Sequence, residues 1–497
     1  MTDKIRAFDD DAIHEGNKAL SIDHDIVDAA VQQLLSGMTL AQKFNEIRGT
    51  QASPIDGFYY AGGDEALGIP VYKMVDGPRG ARAGKATAFP VAIARAATFD
   101  VDLERRVGLA IGLEVAAKGG NVVLAPTINL LRHPGWGRAQ ETYSEDTFHT
   151  GAMGVAFISG AQNHVLTSPK HFALNNVEFT RFEMSANATP RVLHEVYLRH
   201  FRRCVIEGGA ASIMSAYNKV NGVYCGENEE LLTNILRDQW GFKGFVESDW
   251  FLGTRSDAPA INAGLDMEMP AAYRFTDENL VNAIQNGELS EDAITRAAGH
   301  AIHQKIAWRL AEMDVPPASV VESAEHLALA REASEKSMVL LKNDATLPLR
   351  DTAAQKIAIV GDLADWENLG DRGSSFVTST EVITPRKGIE ARATQSTLAY
   401  FRSDDDLTAL GEYDITILIA GLTYREEGEF IPTAQQEAEG SNLARGGDRA
   451  SLQLPDHQLD LIHRTAESAN KLVLVLEGGS AIQTGSWIGH VDALVMA

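Results

Sequence analysis

Between Val71 and Asp249, short apolar runs alternate with helical stretches, and run after run stops at a polar or charged residue. Val71–Val75 ends at Asp76, and Val122–Leu124 runs into Ala125-Pro126. Val165-Leu166-Thr167 reaches Lys170-His171, Ser212–Ala216 reaches Tyr217, and Phe245-Val246 reaches Asp249. The intervening Glu104–Lys118 and Pro190–Glu207 carry helical patterning. Strands separated by helices pair in parallel, because each crossover returns the chain to the same end of the sheet. Polar residues repeated at strand ends favour a closed barrel, whose site lies at the C-terminal ends of its strands, over an open sheet.

A second series follows: Ile357-Ala358-Ile359-Val360-Gly361, then Ile415–Ala420 ending in Gly421, then Leu472–Leu476 ending in Glu477-Gly478-Gly479. Glycine-ended parallel strands predict a doubly wound α/β domain. The last run, Val491-Asp492-Ala493-Leu494-Val495-Met496, reads as one more strand. A terminal apolar strand leaves a sheet edge poorly covered, so this domain is expected to be incomplete at its C-terminus. Val315-Pro316-Pro317 and the helix-prone stretch after it read as a linker. The expected organisation is 1–314 barrel, 315–337 linker and 338–497 α/β domain.

The net charge of −24 argues against phosphate backbones, so nucleic acid is not an expected partner. Neutral ligands such as sugars are compatible with it. Two cysteines, Cys204 and Cys225, have no metal-type spacing and read as buried thiols. No run approaches the ~18 apolar residues of a membrane span. The N-terminus lacks the apolar core of a secretory signal, which points to the cytoplasm, or to the periplasm or outside if a leader was removed. Homo-oligomerisation is left open.

Gly244-Phe245-Val246-Glu247-Ser248-Asp249-Trp250 is the clearest functional candidate: an apolar run delivering one carboxylate and one indole. Asp249 has a plain alternative reading as the N-cap of a following helix. Asp76 sits in an Asp-Gly turn signal. Lys170-His171 has an alternative as a salt-bridged rim, and Arg138 as a structural partner of Glu141 or Glu145. Together these groups at successive strand ends are better explained by one polyol pocket.

Several ordered stretches carry a family resemblance. They are Asp76-Gly77-Pro78-Arg79-Gly80, Arg132-His133-Pro134-Gly135-Trp136-Gly137-Arg138 with Glu141-Thr142-Tyr143-Ser144-Glu145-Asp146, and Lys170-His171-Phe172. Ser212-Ile213-Met214-Ser215-Ala216-Tyr217-Asn218, the Gly244–Trp250 run, and Leu340-Leu341-Lys342-Asn343 before Leu347-Pro348-Leu349 follow in order. The chain resembles glycoside hydrolase family 3, the β-glucosidase-type enzymes, from about residue 35 onward. The resemblance implies a TIM-like (β/α)8 barrel followed by an α/β sandwich domain, with the site between them. It implies Asp249 as nucleophile, and Asp76, Arg138, Lys170, His171 and Tyr217 as the sugar-binding shell, with Arg181 and Met214 beside it. Trp250 is suited to pack on an apolar sugar face. No cofactor or metal is expected.

The resemblance places the proton-donating carboxylate on a loop of the second domain. Counting from Gly421-Leu422 puts it on Glu429, with Glu427 and Glu439 as competitors. Residues 431–445 intervene before Gly446-Gly447-Asp448-Arg449, where the family runs almost directly into Asp-Arg. Gly370-Asp371-Arg372-Gly373-Ser374-Ser375 is a second loop expected to reach the site. Lys170-His171-Phe172 continues into Ala173-Leu174-Asn175, unlike the family's N-acetylglucosaminidases. The expected activity is that of a retaining exo-acting β-glucosidase on β-glucosides or oligosaccharides. A β-xylosidase, another exo-β-glycosidase or a silent carbohydrate-binding protein are the rivals.

Overall fold

The computed structural model describes residues 21–349, 354–431 and 446–497. The first domain closes as a ring of eight short segments. Tyr72–Asp76, Val122–Leu124 and Leu166–Thr167 pair in parallel, and so do Ser212–Met214 and Phe245–Glu247. Single bridges complete the ring: Phe172 to Ser215, Glu247 to Met267, Arg48 to Glu268, and Gly49 to Ala61. The core strands are buried along their whole length, as strands with helices outside and packed side chains inside must be. One member departs from the uniform parallel pattern. Tyr59–Ala61 runs antiparallel to Tyr72–Asp76, because the short connection between them has no crossover helix.

The outer helices are individually specified. Asp100 and Asp146 cap Val101–Ala117 and Thr147–Ala161, accepting from the backbone N–H groups of Leu103 and His149. These two helices touch backbone to backbone: a Cβ on Gly160 would lie 2.0 Å from the Arg105 carbonyl oxygen. The stretch expected as a linker is not a free tether. It contains helix Ala324–Ser337, capped by Ser323, whose Leu329 and Ala333 join the barrel's apolar core.

The second domain is a six-stranded sheet in the order Val339–Asn343, Ala493–Met496, Leu472–Glu477, Ile415–Gly421, Lys356–Val360, Thr397–Phe401. Only the first pair is antiparallel. The expectation that the last strand would be an exposed edge is corrected here. Ala493–Met496 is paired on both sides, and Val339–Asn343 takes the edge beside it. Helix Asp456–Ser468 covers one face through Leu461 and Ile462. The other face, with Ile417, Ile419, Val473 and Val475, lines an apolar cavity of about 720 Å³. None of the predicted site residues borders that cavity. Among the described residues no helix is long and apolar enough to cross a membrane.

Candidate active site

Strand Phe245–Glu247 ends two residues before Asp249, which lies at the barrel mouth and is 6 % exposed. The capping alternative fails, since the next helix, Ala258–Ala263, is capped by Asp257. Asp249 instead accepts the Trp250 backbone N–H on Oδ1 at 2.8 Å, which fixes the carboxylate plane. Its Oδ2 makes no hydrogen bond to the protein and faces His171 Nε2 at 3.8 Å. Burial pushes this carboxyl up to about 6, against the pull of Arg181, Arg138 and Lys170.

The surrounding shell is held from behind. Lys170 Nζ meets Asp76 Oδ1 at 3.2 Å, and Arg82 approaches the other Asp76 oxygen at 3.4 Å. The rim reading of Lys170-His171 is therefore set aside: both residues are buried. His171 is anchored by Asn129, whose Oδ1 lies 2.9 Å from the His171 backbone nitrogen and 3.0 Å from Nδ1. Burial, then the cations Arg138, Lys170 and Arg181, hold the imidazole well below its ordinary range, so it is neutral. With Nδ1 donating to the amide oxygen, Nε2 is left as an acceptor facing the cavity. The Tyr217 hydroxyl donates to the Trp250 carbonyl at 3.0 Å, and Arg181 stacks on the Tyr217 ring. Trp250 packs edge-on against Tyr59, and its indole N–H has no protein partner.

The opposite wall comes from the second domain. After strand Ile415–Gly421 the chain turns so that Glu429 enters the barrel mouth. Its carboxylate meets Arg181 Nη2 at 3.1 Å, Arg138 Nη1 at 3.5 Å and the Ser374 backbone N–H at 2.7 Å. Burial alone would raise this carboxyl, but Arg138 and Arg181 override it and hold Glu429 well below the usual carboxylate range. Arg138 keeps the structural partner that its sequence suggested, a bidentate pair with Glu141 at 2.9 and 2.6 Å. The Gly370–Ser375 loop reaches the site through Ser374, and through Asp371, which accepts the Glu429 backbone N–H at 2.9 Å. Glu427 points elsewhere, accepting from the Gly479 N–H and the Ser480 hydroxyl within the second domain. Glu439 lies outside the described residues.

One cavity thus brings together Asp76, Arg138, Lys170, His171, Arg181, Met214, Tyr217, Asp249, Trp250 and Glu429. Tyr59, Arg82, Phe251, Ser374 and Ile431 complete the wall. Of these, Ser374 had a signal, as part of a loop read as reaching the site, and so did Ile431, the first residue of the intervening stretch 431–445. Tyr59 arrives on the reversed strand, and Phe251 by a turn with φ of 64°. Asn129 and Glu178 act behind the wall and carry no motif that marks them. No described group of His, Cys, Asp and Glu is arranged to hold a metal ion. Both cysteines are free and buried.

The sequence matches the family model for the glycosyl hydrolase family 3 N-terminal domain over residues 15–303, and that for the family's C-terminal domain over 338–497. A β-glucosidase of Rhizobium radiobacter is 38% identical over 372 residues, covering 73% of this chain and 44% of the relative. An exo-α-(1→6)-L-arabinopyranosidase of Bifidobacterium breve is 33% identical over 493 residues, covering 92% and 61%. The chain therefore spans less than two thirds of these curated relatives. The solved structure of β-glucosidase 3B from Thermotoga neapolitana in complex with glycerol superposes with a TM-score of 0.83 at 28% identity, covering 94% of this chain and 71% of that one. With both domains matched and the strand-end groups converging on one cavity, the chain belongs to glycosyl hydrolase family 3.

Proposed function

We propose that this chain carries the active site of a retaining exo-acting β-glucosidase. The observation that carries the reading is the open Oδ2 of buried Asp249, ringed by cations, with a second carboxylate delivered opposite it from another domain. In the first step Asp249 Oδ2 bonds to the anomeric carbon, and the bond from that carbon to the leaving oxygen breaks as Glu429 supplies a proton. In the second, water attacks the anomeric carbon, Glu429 takes the water's proton, and Asp249 is released. Arg138, Lys170 and Arg181 keep Asp249 ionised and donate to sugar hydroxyls as charge develops in the ring. Neutral His171 accepts from a hydroxyl at Nε2.

The state of Glu429 adds a requirement. Gripped by two guanidinium groups, it is an anion, which suits the base step and not the acid step. Substrate hydroxyls that take over Arg138 and Arg181 release the carboxyl toward the leaving oxygen, and it takes up from solvent the proton that it then donates.

A test of the assignment is Asp249→Ala on an aryl β-glucoside: turnover at the wild-type level contradicts it. Azide rescue of Glu429→Ala, but not of Glu427→Ala or Glu439→Ala, supports Glu429 as acid/base, and rescue at either of the others moves the role. A second reading concerns the glycone, because an arabinopyranosidase is among the relatives. A panel of aryl β-glucoside, β-xyloside and α-L-arabinopyranoside substrates decides it, with the β-glucoside expected to give the highest kcat/KM.

A further inference from the structure

One carboxylate outside the cavity bridges the acid/base loop's domain to the barrel through three backbone amides. Asp448 belongs to the second domain, yet its side chain accepts three backbone N–H groups of the first. Gly137 donates to Oδ1 at 3.1 Å, Glu178 to both oxygens at 3.0 and 2.9 Å, and Phe179 to Oδ2 at 3.2 Å. A carboxylate bridging three amides is a charge-assisted clamp, individually stronger than neutral hydrogen bonds.

What it grips matters more than its strength. Gly137 precedes Arg138, and Glu178 lies three residues before Arg181 in a turn, so the clamp seizes the segments that carry both guanidinium partners of Glu429. On its own side, the N–H of the adjoining Gly447 donates to the Gly428 carbonyl at 2.8 Å, one residue before Glu429. The flanking contacts run the same way. The Arg449 N–H donates to the Gly135 carbonyl at 2.7 Å. Fully buried Glu178 accepts the Phe430 N–H at 3.0 Å and the Trp136 indole N–H at 3.0 Å, while Arg181 donates to the Phe430 carbonyl at 2.8 Å. Every polar tie between residues 428–430 and the barrel therefore starts from a segment that Asp448 or its neighbours hold.

We propose that Asp448 is a positioning residue for the proton-transfer step, setting the place of Glu429 relative to the barrel-borne sugar site. The proposal rests on the reading of Glu429 as acid/base. Asp249, its Trp250 amide and the Lys170–Asp76 pair receive no bond from Asp448, and Arg138 and Arg181, which face Asp249, keep their own barrel partners Glu141 and Glu178. Loss of Asp448 therefore separates the two halves of the reaction: the nucleophile stays in place and the proton donor is misplaced.

The test is kcat/KM of Asp448→Ala and Asp448→Asn on a series of aryl β-glucosides, from dinitrophenyl, whose leaving group needs no proton, to phenyl, whose leaving group does. A positioned general acid contributes about 10²–10⁴-fold, so Asp448→Ala is expected to lose about 10²-fold on the phenyl glucoside and less than about 3-fold on the dinitrophenyl glucoside. Asp448→Asn keeps one acceptor oxygen and is expected to fall between; it is the variant to read if the alanine variant folds poorly. Glu429→Ala, measured alongside, is expected to show the same dependence with a larger loss. An equal loss across the series in the Asp448 variants, with Glu429→Ala still leaving-group dependent, makes Asp448 a structural residue and overturns the proposal. If Glu429→Ala itself shows no such dependence, the acid/base reading fails first, and the role of Asp448 falls with it.

Discussion

Asp249 keeps a charge in a buried site because Arg181, Arg138 and Lys170 face it, and even so its carboxyl titrates near 6 rather than 3.8. Two outcomes follow at the residue scale. On the proposed role of Asp249 as nucleophile it must be ionised, so kcat/KM is expected to fall as pH drops through about 6, with a limb that belongs to the free enzyme. The stability consequence has the opposite sense. A folded-state pKa above the unfolded value means that the native state binds the proton more tightly, so this group's contribution to stability declines as pH rises between about 4 and about 6. Asp249→Asn is therefore expected to stabilise the protein by about 1–3 kcal/mol at about pH 8 and to change little at about pH 4, measured by denaturant unfolding. Glu429 gives a further readout. If a bound sugar displaces it from Arg138 and Arg181, glucose binding near pH 7 is expected to take up a proton, seen as buffer-dependent binding enthalpy; no buffer dependence contradicts the displacement. Asp249, Arg138 and Lys170 were legible because each follows a strand-like run or lies in an ordered motif, whereas Arg181 and Glu429 came only through the family resemblance. Asn129 and Glu178 were not, because they act through other side chains and follow no periodicity.

At the element scale, the strand that carries Asp249 is short, and its turn is set by close backbone contact. A Cβ on Gly253 would lie 2.3 Å from the Asp249 carbonyl oxygen and 2.6 Å from its nitrogen. Gly253→Ala must shift the backbone of Asp249, and a misplacement of a reacting group by about 1 Å costs on the order of 10²-fold in rate. The expectation is a loss of that size in kcat on an aryl β-glucoside, with far-ultraviolet circular dichroism unchanged. Alternation of runs with helical stretches was enough to read five barrel strands and the parallel strands near Ile357, Ile415 and Leu472, but not the half-exposed parallel edge strand Thr397–Phe401 or the order within the sheet. It could not reveal the reversal of Tyr59–Ala61. Three residues carry too little periodicity to show a direction, and the pairing is set by the short connection to Tyr72–Asp76. The last strand was recognised but misplaced, since the antiparallel return of Val339–Asn343 to its side is a long-range pairing.

At the scale of the whole molecule, the site exists only where the two domains meet. A Cβ on Gly137 would lie 2.4 Å from the carbonyl oxygens of both Gly428 and Gly447, so any side chain there forces the second domain away from the barrel. Gly137→Ala is expected to lower kcat/KM by on the order of 10²-fold or more on the phenyl glucoside, through misplacement of Glu429 and Arg138 together. The division into two domains was readable from two strand series of different character, whereas the docking between them depends on backbone amides that no side-chain pattern encodes. The central claim is that Asp249 bonds to the sugar, and it is tested most directly by trapping. The protein is incubated with a fluorinated β-glucoside whose sugar slows release from the enzyme more than attachment, and the digested product is analysed by mass spectrometry. One sugar per chain, located on Asp249, is the predicted result; no adduct, or an adduct on Glu247, Glu429 or any other residue, contradicts the account.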